Sequence, residues 1–206
     1  MRTLQFILLG GLALGLGVLL YVGTRAPATE PLVSGLRLNE PRALPPIQLV
    51  DDQGAAFGNE QLQGRWHLVF AGFTHCPDFC PNTLATLKLV QEKLGEDAAQ
   101  LQVLFFSVDP QRDQPEQLAQ YTRYFHPKFV GITGETEQVD HFAQALGLAY
   151  SIVPAEDGAP ANQYTVDHSA ALVMLDPQGR IAAYFSAPHR VDPLTADLRS
   201  MMGLSS

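Results

Sequence analysis

Cysteine is scarce, with two residues in 206. A disulfide-stapled mini-scaffold uses more, and a chain of this length builds an ordinary hydrophobic core without staples. Basic residues are also few, 13 Lys and Arg against 21 Asp and Glu, for a formal net charge of −8. Spread this evenly, they assemble no basic face, which excludes a nucleic-acid binder. The acidic excess suits a small cation or a basic patch on another protein. No second Cys-x-Cys or His-x-His pair accompanies the cysteines, so the four-ligand set of structural zinc is missing. Internal repeats and low-complexity blocks are absent too, and one soluble domain with an appendage is expected.

That appendage is N-terminal. Residues 4–22 carry no charge and are mostly Leu, Gly, Ala and Val, enough to cross a bilayer as a helix. Ala26-Pro27-Ala28 is a poor signal-cleavage site because Pro holds its middle position, so residues 1–24 are expected to stay as an anchor. Arg2 and the amino terminus precede the span, whereas Arg25 after it is offset by Glu30, which places the domain on the far side of the membrane. The span begins too early to leave room for an Arg-rich transit peptide. The expectation is a single-pass protein of a bacterial inner membrane with its domain in the periplasm. Residues 25–46, with Pro27, Pro31, Pro41, Pro45 and Pro46, read as a Pro-rich tether that becomes ordered toward its end.

Residues 47–206 read as the domain. A short hairpin over 47–57, turning at Asp51-Asp52-Gln53-Gly54, is expected as an N-terminal extension outside the core. Residues 66–73 are nearly all apolar, as in a strand covered on both faces. Leu84, Leu87, Val90 and Leu94 then recur at helical spacing up to Gly95. A second buried strand is predicted over 101–108, a helix over 115–125, a short strand over 129–132, and a helix over 135–146 stopped by Gly147. Pro154, Gly158 and Pro160 make 151–162 a loop. Strands over 169–175 and 181–185 flank a turn at Asp176-Pro177-Gln178-Gly179, and a helix over 193–202 closes the chain.

Both cysteines lie in Phe73-Thr74-His75-Cys76-Pro77-Asp78-Phe79-Cys80-Pro81, where the first long strand meets a helix. If the first turn begins at about Pro77, Cys76 and Cys80 share a face. Two thiolates so placed can clasp a soft ion or close a disulfide, which leaves metal binding and redox exchange both open. Three residues separate them, instead of the two of a thioredoxin-type redox motif, which favours metal. A helix N-terminus favours the thiolate and predicts lowered thiol pKa values. The candidate third ligand is His168 in Tyr164-Thr165-Val166-Asp167-His168-Ser169. Two thiolates suit Cu(I), the imidazole suits Cu(II) as well, and zinc accepts the same donors. Asp78, Asp109 and Asp167 are candidates for supporting the ligands from behind, and Asp113 for capping the next helix. His67, His75, His126, His141 and His189 lack a comparable pairing, although His75 adjoins Cys76.

The cysteine stretch, the run Val108-Asp109-Pro110-Gln111-Arg112-Asp113 and the run Val166-Asp167-His168-Ser169 together resemble the Sco/SenC copper chaperones of cytochrome c oxidase assembly, over roughly residues 40 to 204. The element order, strand, helix, strand, helix, then a terminal hairpin and helix, is similar to the thioredoxin-like α/β fold, a central sheet flanked by helices. The resemblance implies one copper ion held by Cys76, Cys80 and His168 and passed to the CuA site of cytochrome c oxidase subunit II, with other copper carriers as further partners. An alternative is a thiol-disulfide reductase cycling Cys76 and Cys80 through a disulfide, which needs no His168.

Overall fold

A computed structural model describes residues 31–154 and 164–204. The apolar run at 4–22 lies outside the described residues; among those described, no helix is long and apolar enough to cross a membrane.

In chain order the described elements are β1 (Gly35–Ala43), β2 (Leu49–Asp51), β3 (Ala56–Phe57), β4 (Trp66–Gly72), α1 (Phe79–Leu94), β5 (Leu101–Ser107), α2 (Pro115–Phe125), β6 (Val130–Thr133), α3 (Thr136–Leu146), β7 (Tyr150–Pro154), β8 (Tyr164–His168), β9 (Leu172–Leu175), β10 (Arg180–Phe185) and α4 (Val191–Met202). Eight strands form one sheet in the order β1-β10-β9-β4-β5-β6-β2-β3, and β7 and β8 form a separate two-stranded ribbon. At the centre, β4 pairs parallel with β5 and antiparallel with β9. His67 to Gly72 are all buried, as a strand covered on both faces requires. Cys80, Leu84, Leu87, Val90 and Leu94 form the buried stripe of α1, spaced at three and four so that one face meets the sheet. Gly147 ends α3 with φ 72°, a left-handed stop that glycine adopts without strain.

Four expectations are corrected. Within the stretch read as a tether, Gly35–Ala43 forms β1, antiparallel to β10, with a register break between Arg37 and Arg42. Pro41 is tolerated there because β1 is an edge strand, where a missing N–H interrupts no ladder. The hairpin of β2 and β3 is no outlying extension: Val50 and Asp51 pair with Thr133 and Ile132 of β6, and Ile47, Leu49 and Phe57 are buried in the core. The first part of 151–162, read as a loop on Pro154, Gly158 and Pro160, belongs to β7 (Tyr150–Pro154), paired residue for residue with β8 (Tyr164–His168), which was not expected as a strand either. Finally, α1 begins at Phe79 instead of near Pro77, so Cys76 sits in the loop that leads into the helix.

Candidate metal centre

Strand β4 ends at Gly72, and the chain turns so that the Cys76 N–H donates to the Phe73 carbonyl at 3.3 Å. Cys80 follows in the first turn of α1, fully buried, and its N–H donates to Cys76 Sγ at 3.3 Å. Gly72 makes this possible. A Cβ there would lie 2.9 Å from Cys80 Sγ and 2.7 Å from Phe105 Cε2, closer than either can tolerate.

His168 is the last residue of β8. It reaches the cysteines because β9, four residues on, runs antiparallel to β4 with Leu172 opposite Phe70, near the end of β4 from which the cysteine loop departs. His168 Nε2 lies 3.4 Å from Cys80 Sγ, and the donor atoms of Cys76, Cys80 and His168 all fall within 4.8 Å of one another. The Nδ1 atom is 3.2 Å from the Ser169 carbonyl. A carbonyl only accepts, so Nδ1 carries the hydrogen and the Nε2 lone pair faces the sulfurs, the tautomer a metal-binding imidazole needs. The rings of Phe70, Phe73 and Phe79 stand 6.1, 6.1 and 5.9 Å from the imidazole. Burial among them holds the His168 pKa below its ordinary value and keeps the ring neutral.

Both thiols are free. Burial, reinforced by the adjacent Cys76 sulfur, pushes the Cys80 thiol far up, against the lowering expected from the helix N-terminus. Desolvation of the thiolate outweighs the helix dipole here. A bound soft cation reverses that balance by replacing the proton.

The carboxylates lie elsewhere than expected. Asp113 does not cap α2, whose N-cap is Gln114. It is fully buried, and its Oδ2 accepts from the Thr74 N–H at 2.9 Å and Ser107 Oγ at 2.6 Å, while Oδ1 accepts from Thr74 Oγ1 at 2.6 Å. Asp109 is also buried; Oδ1 accepts from the Tyr164 hydroxyl and Oδ2 from Arg112 Nε. Asp78 and Asp167 are exposed. His75 is exposed as well, with Nδ1 3.1 Å from Thr74 Oγ1. Burial, reinforced by the neighbouring Cys80, Cys76 and Asp113, raises the pKa of the Tyr121 hydroxyl. Sequence reasoning missed Gly72, Thr74, Arg112, Tyr121 and Tyr164 as site residues. Thr74, Arg112 and Tyr164 carried a signal, since each lies in a run already singled out around the cysteines, Asp109 or His168.

A mixed sheet flanked by helices, with two thiols and an imidazole converging where its central strand ends, defines a thioredoxin-like domain built around a soft-metal ligand set. The SCO1/SenC family matches residues 38–203, and the chain belongs to that family. It is 40% identical over 160 residues to a Stutzerimonas stutzeri protein named for copper binding, covering 77% of this chain and 76% of that one. The copper-bound structure of ScoI from Arabidopsis thaliana superposes with a TM-score of 0.71 at 32% identity, covering 78% of this chain and 98% of that one. Copper-bound yeast Sco1 gives 0.71 at 28% identity, covering 81% and 91%. The chain spans 44% of the longer mitochondrial SCO1 homolog 1 of Arabidopsis, at 34% identity.

Proposed function

We propose that this protein is a membrane-anchored copper chaperone that holds one copper ion through Cys76, Cys80 and His168 and delivers it to the CuA site of cytochrome c oxidase subunit II. The observation that carries the reading is the convergence of two sulfurs and one imidazole nitrogen within 4.8 Å. The donors fit copper in both oxidation states: thiolates for Cu(I), with an imidazole that Cu(II) also accepts. Copper in the relatives of known structure supports the same assignment. The apolar run at 4–22 is read as the anchor in a bacterial inner membrane, with the domain in the periplasm. Transfer proceeds by ligand exchange, in which a client thiol or imidazole replaces one donor at a time while Cys80, in the rigid first turn of α1, holds its place.

The test is visible absorption of the purified full-length protein in detergent, titrated with Cu(II). A thiolate-to-copper band saturating at one equivalent, and weakened in His168→Ala and Cys76→Ala, supports the site. No band and no retained copper would sink it.

A thiol-disulfide reductase is the second reading, favoured by the free thiols and by the Cys80 N–H directed at Cys76 Sγ. It predicts that His168→Ala keeps full exchange activity while losing copper, and that Cys76→Ala loses both.

A further inference from the structure

The two halves of the candidate metal centre are far apart in sequence, Cys80 and His168 being 88 positions apart. The cysteine half belongs to the main sheet and α1, the histidine half to the ribbon of β7 and β8. A single short loop, between β5 and α2, grips both. At one end Asp113 takes the backbone N–H and the hydroxyl of Thr74, two residues before Cys76, and is itself held by Ser107 Oγ at 2.6 Å. At the other end, Arg112 Nη1 donates to the Tyr164 carbonyl at 3.0 Å, and the Tyr164 hydroxyl donates to Asp109 Oδ1 at 2.6 Å. Tyr164 opens β8, four residues before His168. The Arg112 guanidinium lies 3.6 Å from the centre of the Tyr164 ring and 5.7 Å from that of Phe73, so it is layered between the residue that starts the cysteine loop and the one that starts the histidine strand. The loop closes on itself as well: the Arg112 and Asp113 N–H groups both donate to the Asp109 carbonyl, and Arg112 Nε donates to its carboxylate.

We propose that Asp109, Arg112 and Asp113 act as positioning residues, a bracket that sets the separation between the thiol pair and His168 and so selects the three-ligand site over a two-thiol one. The inference rests on the copper reading of that site. Each residue acts through another: Asp113 through Thr74 on the sulfur side, Asp109 and Arg112 through Tyr164 on the imidazole side. The buried carboxylates are satisfied by these bonds, so the loop is stiff where it grips.

The two sides are separable by experiment, using the full-length protein in detergent. Tyr164→Phe removes one hydroxyl at constant volume, Arg112→Gln removes the stacked charge, and Thr74→Val removes the sulfur-side hydroxyl. In the copper-free protein, proton contacts between the His168 ring and the Phe73 and Phe79 rings are measured by NMR. With Cu(II), affinity is measured together with nitrogen hyperfine coupling and the sulfur absorption band. Tyr164→Phe and Arg112→Gln are expected to weaken the ring contacts, lower affinity about 10-fold and diminish the nitrogen coupling while the sulfur band remains. Thr74→Val is expected to shift the sulfur band and spare the ring contacts. Wild-type ring contacts and wild-type affinity in both imidazole-side variants would overturn the bracket. If the wild-type protein binds no copper, the copper reading fails by itself, and the ring contacts still decide whether the bracket holds His168.

Discussion

Gly72 shows how much of the centre depends on an atom that is absent. In Gly72→Ala the new methyl meets Cys80 Sγ and Phe105 at contact distances below 3.0 Å. Neither can retreat into a packed core without strain, so the variant should lose about 1–3 kcal/mol of stability in urea unfolding. Its copper stoichiometry should fall as Cys80 is displaced. His67 makes the second prediction at this scale. Burial, aided by the Arg65 charge, lowers its pKa from 6.5 to about 4. The folded protein therefore binds fewer protons than the unfolded chain between those values, so stability is whole above pH 6.5 and falls as pH drops toward 4. The loss from this residue is on the order of 3 kcal/mol. His67→Leu should make the acid limb of a stability-versus-pH curve shallower, although His126, His168 and His189, also lowered by burial, keep some slope. Cys76 and Cys80 stood out as a pair from residue type and spacing, and His168 from its place before a buried run and from the family resemblance; the fold brings their donor atoms within 4.8 Å of one another. Gly72 and Asp113 did not stand out, since a close approach and a buried carboxylate exist only once β4, β5 and α1 are packed.

Among the elements, β1 is the one that composition concealed. The prolines in and around it suggested a tether, yet the segment is fastened at its start by Asp197 of α4, a buried carboxylate that accepts from the N–H groups of Val33 and Ser34 at 2.7 Å each and from the Ser34 hydroxyl. Asp197→Ala should cost about 2–3 kcal/mol, as loss of charged hydrogen bonds does, and should accelerate hydrogen exchange at Val33 and Ser34, just ahead of β1, before any sheet amide. A chain trimmed to begin at residue 44 should melt lower and scatter more light than one beginning at Pro31. Without β1, strand β10 becomes an open edge. The strands and helices from β4 to α3 were read nearly to their ends because their apolar periodicity is strong. The ribbon of β7 and β8 was missed in both strands, since Tyr150 to Pro154 is exposed or half-buried and Tyr164 to His168 buries Val166 alone, which leaves little apolar pattern to read.

At the scale of the whole molecule, the order of elements from β4 to α3 and the position of the site at the end of the central strand followed from the sequence; β1, the ribbon of β7 and β8 and the attachment of both sheet edges did not. A ligand that binds only the folded state stabilises it, by about 2.7 kcal/mol at a hundredfold excess over its dissociation constant. Copper should raise the thermal midpoint of the wild-type protein by that linkage and raise that of Cys76→Ala much less. The net charge of −8 should make association with a basic client surface slow down as salt is added, measurable as a falling on-rate with little change in off-rate. The ligand separation has one more consequence. Cys76 and Cys80 are neighbours in any conformation, but His168 joins them only after β9 has docked against β4. A chain still emerging or half folded can offer a metal two sulfurs and nothing else, so the third ligand works as a certificate of completion: the cargo is gripped fully only by a molecule that has finished folding.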